Sequence, residues 1–161
     1  MFNVFKLPKM SKLEIQTVIQ NQFLCRIAFH GEEYPYIAPF QYTLIDNSLY
    51  FHFTNYGMKM RLLERDNRVC VEIEKYIDNF SEYTLVVIRG TLEVVTDSEE
   101  RKKVIKKLAQ EGKLSLSTNF LFAHGFHPDE GWSALSNEEP MVIVKLSNVK
   151  QVMGLKSPKR I

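Results

Sequence analysis

Cysteine is scarce, with two in 161 residues. Cys25 and Cys70 lie far apart, each inside an apolar, strand-like run, which excludes a disulfide framework or a zinc cluster and leaves two buried thiols as the expectation. Long apolar stretches are also missing. Nothing approaches the roughly 18 consecutive apolar residues of a membrane span, and no secretory-signal pattern opens the chain, so a cytoplasmic location is expected. A surplus of either charge is lacking as well: 21 basic against 19 acidic residues leave a net charge of +2. That balance gives no global field to draw in nucleic acid, and an anion site must be local. Three motifs with recognisable mechanics are absent: a Walker loop, a Gly-x-Gly-x-x-Gly fingerprint and a serine triad. His124 and His127 in "AHGFHP" have metal-like spacing, but no third ligand stands nearby, so no metal is expected.

What is present is enough for a substantial core, with 45% hydrophobic and 25% charged residues in a length typical of one domain, residues 1–161. Ser11 and Glu14 make a capping box for a short amphipathic helix with Ile15, Val18 and Ile19 on one face. "CRIAFHG" alternates as a strand. Residues 34–54 read as two strands around "IDNS", where Asp46 and Asn47 tolerate the positive φ of a tight hairpin. Pro39 cannot donate to a ladder, which places it at an edge, a bulge or an opening of the sheet. "RVCVEIEKY" and "YTLVVIRGTLEVV" are β-branched strands, the second with a bulge or bend at Gly90. The helix in "TDSEERKKVIKKLAQEG" has Asp97 and Glu100 at its start and Gly112 as its stop. A last strand follows Pro140. "STNFLFAHGFHPDEGWSALSNEEP" is turn-rich and gives no clear element, with Trp132 as a packing or interface anchor. Six strands and two or three helices make a mainly β fold, an antiparallel barrel with peripheral helices.

The helical pattern over residues 57–65 has its charges reversed. The helix that starts at Ser98 puts acids first and bases later, as the macrodipole favours. After Gly57, Lys59 and Arg61 come early and Glu64 late. An anion held by the free N–H groups of the helix start and by Lys59 resolves the reversal; a solvated surface lysine is the alternative. Just upstream, Phe51 and Phe53 alternate with His52 and Thr54, so the polar pair lies on the opposite face of the strand, at the end nearest Lys59. Polar groups there suit the ribityl and phosphate of a nucleotide-like ligand.

"CRIAFHGEEYPYIAPFQYTLIDNSLYFHFTNYGMKMRLLERDNRVCVEIE" resembles the first half of the pyridoxamine 5′-phosphate oxidase-like FMN-binding split barrels, especially the branch with nitroimidazole-resistance proteins. "VVIRGTLEVVTDSEER" and "VIVKLSNVKQVMGLKS" resemble the family's later strands. The resemblance implies a six-stranded antiparallel split β-barrel of Greek-key type and an FMN whose phosphate meets Lys59 at the helix start of Gly57 and Met58. His52 and the backbone of Phe53 and Thr54 would line the phosphate and ribityl side. Ala38, Pro39 and Phe40 would run along the ring, with Tyr42 further on. A homodimer with the site at its interface is also implied. Two positions depart from the pattern: Met58, where many relatives carry Arg or Lys, and Leu85, where many carry Ser. The Arg-x-His ending of true pyridoxamine phosphate oxidases is missing, and that activity is not expected. The expected function is an FMN-dependent oxidoreductase of unknown substrate, with no side chain marked as acid or base because the flavin does the hard chemistry. The alternatives are a non-catalytic flavin or haem carrier or sensor, a deazaflavin protein, and a single-stranded nucleic-acid barrel. Glu32, Glu33, Glu72 and Glu74 count against the last, since such grooves are electropositive.

Overall fold

The computed structural model describes residues 4–136 and 141–159. In chain order the elements are α1 (Lys12–Asn21), β1 (Leu24–Phe29), β2 (Tyr36–Ile45), β3 (Ser48–Thr54), α2 (Met58–Arg65), β4 (Arg68–Tyr76), β5 (Tyr83–Val94), α3 (Ser98–Ser115) and β6 (Met141–Lys156). Between α3 and β6 run three short 3-10 turns, Thr118–His124, Pro128–Glu130 and Trp132–Ser136. The strands close a barrel in the order β1-β2-β3-β6-β5-β4, and every pairing is antiparallel. The fold is the mainly β, six-stranded antiparallel barrel with peripheral helices that the sequence implies.

Local chemistry accounts for the joints. Ser11 and Glu14 form the expected reciprocal cap on α1. At the β2–β3 hairpin Asp46 and Asn47 have φ of 49° and 61°, and Ile45 pairs with Ser48, the geometry of a two-residue turn with both central residues left-handed. The β5–β6 register shifts between Arg89 and Thr91, and a Cβ on Gly90 would come within 2.7 Å of the Ser147 carbonyl. That contact explains the glycine at the bulge.

Three expectations need correction. Gly112 does not stop α3, which continues to Ser115; the Leu116 N–H then closes the helix on the Gly112 carbonyl at 2.8 Å. Gly112 is a glycine because Trp132 lies on it: a Cβ there would be 2.3 Å from Trp132 Cζ3. Cys70 is half-buried, whereas Cys25 is buried as expected, because Cys70 lies on the outer side of β4 opposite the core residues Val69 and Val71. The turn-rich segment is ordered into 3-10 turns that carry Leu121, Trp132 and Leu135 into a core. Pro140, read as the entry to the last strand, lies outside the described residues.

Alternation along β3 divides two cores. Phe51 and Phe53 face the barrel interior with Ile27, Phe40, Tyr42 and Val71, while Tyr50 joins Val104, Leu108, Leu121, Trp132 and Ile143 in a second core under α3 and the 3-10 turns. Strands β2 and β3 pair only from Tyr42↔Phe51 to Ile45↔Ser48. Beyond that point residues 36–41 pair with β1 alone and residues 52–54 with β6 alone. The barrel splits there.

Candidate functional site

The split has one edge whose backbone can be assigned from the ladder. The Tyr42 N–H donates to the Phe23 carbonyl at 2.9 Å, so by antiparallel alternation the even-numbered residues of β2 turn their backbone toward β1. Ile37, Pro39 and Gln41 therefore turn theirs toward the split. Pro39, the residue without an N–H, occupies the edge that has no neighbouring strand, as its lack of a donor requires.

The side chains of β2 alternate in the opposite sense. Ala38, Phe40 and Tyr42 pack toward the barrel interior, and the Tyr42 hydroxyl donates to the Ile19 carbonyl at 2.7 Å. Burial holds that phenol un-ionised by pushing its pKa up. These three residues are engaged in the core, whereas Pro39 is exposed and Ile37 is 60% exposed beside it. Phe53 likewise belongs to the barrel core, and since the even-numbered residues of β3 turn their backbone toward β2, that of Phe53 turns toward β6; the split meets the backbone of His52 and Thr54 instead.

The opposite wall is the end of β3 and the start of α2. Thr54 sends its hydroxyl to the Tyr56 carbonyl at 3.2 Å, and the chain turns at Gly57, where φ is 94°. Gly57 caps α2 without any side-chain hydrogen bond, and the first turn holds no acid. Among the described residues no side chain answers its free N–H groups and the positive dipole end. Met58 is 49% exposed. Lys59 is half-buried and has no ion pair among the described residues; its partial burial lowers its pKa. Arg61, one turn on, is exposed. The loop after the first 3-10 turn approaches closely, since a Cβ on Gly125 would lie 3.5 Å from Thr54 Cγ2.

His52 is on the face opposite Phe51 and Phe53, as its place in the strand requires, yet it is only 6% exposed. It joins a buried polar chain. His52 Nδ1 lies 2.9 Å from His124 Nδ1, His124 Nε2 lies 2.8 Å from Gln41 Oε1, and Gln41 Nε2 donates to the Leu108 carbonyl of α3 at 3.0 Å. The imidazoles stack with their planes 16° apart. Burial drives His52 down to about 3, assisted by His124 and by the Lys59 ammonium, and burial drives His124 down to about 4. Both rings are therefore neutral at pH 7. Gln41 is not among the residues that the sequence marks, and His124 is marked there only for its metal-like spacing with His127. The signal was a polar residue inside the apolar strand "APFQYTL", and a histidine in a segment whose order depends on α3 packing above it. His127 faces away: it is exposed and accepts from the Asp129 N–H at 3.3 Å as a turn cap. Among the described residues no three metal-ligating side chains gather.

A six-stranded antiparallel barrel, parted between β2 and β3 beside an uncapped helix start, defines the split-barrel class. A family model described as pyridoxamine 5′-phosphate oxidase matches residues 11–119, and the chain belongs to that family. No curated protein matches the sequence. Solved structures share the fold. An FAD-binding protein from Mesorhizobium loti is 19% identical with a TM-score of 0.68, over 96% of this chain and 98% of that one. A candidate 5-nitroimidazole antibiotic resistance protein from Bacteroides thetaiotaomicron is 20% identical with a TM-score of 0.57, over 99% of both chains. HutZ, the haem storage protein from Vibrio cholerae, is 15% identical with a TM-score of 0.64, over 90% of this chain and 94% of that one.

Proposed function

We propose that the whole chain, residues 1–161, acts as one FMN-binding domain and serves as a flavin-dependent oxidoreductase in the cytoplasm. The observation that carries this reading is the start of α2: an N-terminus without a side-chain cap that follows the β3 edge of the split, with a half-buried Lys59 at its second residue that has no ion pair among the described residues. A phosphate monoester satisfies the helix N–H groups, the dipole and the lysine together. The donor set fits FMN. Thr54, through its side chain and backbone, and the backbone at Gly57 would border the phosphate, with Met58 beside it where a second cation is lacking. The backbone of Pro39 and Gln41 offers carbonyls, and in Gln41 an N–H, to the polar rim of the ring. Ala38, Phe40 and Tyr42 hold that edge from within the barrel.

FMN supplies hydride or electron transfer when bound, and this chain's residues supply position and shielding. Both buried histidines stay neutral and engaged, which suits a protein that leaves the redox chemistry to its cofactor. Exposed Ile37 on β2, and Tyr56 and Met58 after β3, give the two edges of the split apolar surface. In this reading a second copy of the chain covers them, giving a homodimer that shares the site.

Binding is tested by titrating purified protein with FMN and following the flavin absorbance and fluorescence. Lys59→Ala should weaken binding by roughly 10- to 100-fold, since a charge-assisted phosphate contact is worth about 1.5–3 kcal/mol. Equal affinity in the two proteins removes Lys59 from the phosphate site. Turnover is tested by anaerobic reduction of bound flavin with a nicotinamide and reoxidation by added acceptors. Failure of both steps across a broad panel turns the reading to a flavin carrier.

A further inference from the structure

The buried chain from α3 to β3 fixes protons as well as positions. A backbone carbonyl can only accept, so the Gln41 amide must turn its NH₂ to Leu108 and its Oε1 to His124. Oε1 in turn can only accept, so His124 carries its proton on Nε2. A neutral imidazole with its proton on Nε2 has a lone pair on Nδ1, and the 2.9 Å contact between the two Nδ1 atoms then needs a proton from His52. His52 is thereby protonated on Nδ1 and bare on Nε2. That Nε2 has no partner among the described residues, on a ring whose β3 neighbours Phe53 and Thr54 border the split. The charged group that acts on His52 from α2 is Lys59, and the titratable group from the 3-10 side is His124; both disfavour a second proton.

We propose that Gln41 and His124 are positioning residues that lock His52 in its Nδ1-protonated form, making Nε2 a fixed hydrogen-bond acceptor on the wall of the split. The ligand group that meets His52 must be a donor, a hydroxyl or an N–H. An unprotonated phosphate oxygen would set lone pair against lone pair. This assignment rests on the flavin reading for its ligand and sharpens it: the phosphate goes to Lys59 and the start of α2, and a hydroxyl of the polyol chain goes to His52.

The test is proton–nitrogen correlation NMR of the ligand-free wild-type protein, which reports the tautomer of each histidine without any cofactor. The expected result is a protonated Nδ1 on His52 and a protonated Nε2 on His124. Gln41→Met keeps the side-chain length but removes the acceptor. It should let the His52 ring populate both tautomers and lower FMN affinity roughly 2- to 10-fold, the range for one neutral hydrogen bond, with competition by inorganic phosphate unchanged. A wild-type His52 protonated on Nε2 overturns the assignment, whether or not the variant folds. So does a Gln41→Met protein with the wild-type tautomer and affinity. If wild type fails to bind FMN, the flavin reading falls, and the spectrum still decides the tautomers.

Discussion

Met58 and Lys59 sit side by side at the start of α2, and they ask different things of the solvent. Lys59 is half-buried and has no ion pair among the described residues, so its ammonium bears a desolvation cost that a bound anion relieves. Met58 is exposed, at the position where the family resemblance implies a cation. Replacing it should add a phosphate contact: Met58→Arg is expected to tighten FMN binding about 2- to 5-fold, in line with up to about 1 kcal/mol for an exposed charge pair. Unchanged affinity in a fluorescence titration would place the phosphate away from the first turn. At this scale the sequence was partly legible. The reversed charges of Lys59 and Glu64 and the alternation that separates His52 from Phe51 and Phe53 are local facts. The polar chain around His52 exists only in the fold: His124 lies 72 residues from His52 and 83 from Gln41, and His124 and Gln41 come from a 3-10 turn and a strand that meet under α3.

Among the elements, α2 and α3 show how glycine can mean two things. Gly57 has φ of 94° and ψ of −177°, a region that side chains other than glycine enter at a cost, although nothing crowds a Cβ there. Gly57→Ala should therefore destabilise the protein by about 1–3 kcal/mol and lower FMN affinity with it, read by denaturant melts and titration. A melt equal to wild type would show that the turn relaxes freely. Gly112 has ordinary helical surroundings and an occupied space above it. Gly112→Ala gains roughly 1 kcal/mol of helix propensity yet drives a methyl into Trp132, and the net should be a loss of about 1–2 kcal/mol. A stabilised variant would contradict the close packing of Trp132. Strand and helix bounds were readable because periodicity is local; the reading of Gly112 as a stop failed because its reason lies 20 residues downstream, in Trp132. The missing donor of Pro39 leaves an edge, a bulge or an opening of the sheet as its place, and it lies on the edge that β2 turns to the split.

The whole molecule carries its buried histidines as a pH liability. Both fold with values far below the ordinary 6.5, about 3 for His52 and about 4 for His124, so the unfolded chain binds protons that the folded one refuses. Their contribution is complete above about pH 6.5 and is lost as pH falls toward the folded values. Glu14 and Asp66, whose carboxyls are held low by Lys156 and Arg68, begin to matter only below their ordinary 4.5 and 3.8. The window from pH 6.5 to 5 thus belongs to the histidines, with an expected loss of roughly 2–3 kcal/mol in unfolding free energy for the pair. Denaturant midpoints that stay flat across that window would contradict neutral burial of the two rings. The barrel was legible from six alternating segments and their turns, while its split came only from the family resemblance, since strand order and the parting of β2 from β3 are long-range pairings that no segment encodes alone.

Selectivity for the phosphate is the most direct measure of the central claim, that the start of α2 and Lys59 hold the phosphate of a flavin lying in the split. Wild type and Lys59→Ala should each be titrated with FMN and with riboflavin, which differs by the phosphate alone. The expected result is wild-type preference for FMN by roughly 10- to 100-fold, the equivalent of about 1.5–3 kcal/mol for a charge-assisted contact, collapsing in Lys59→Ala while riboflavin binding is unchanged. Equal wild-type affinity for the two flavins, or a preference that survives the loss of Lys59, would contradict it.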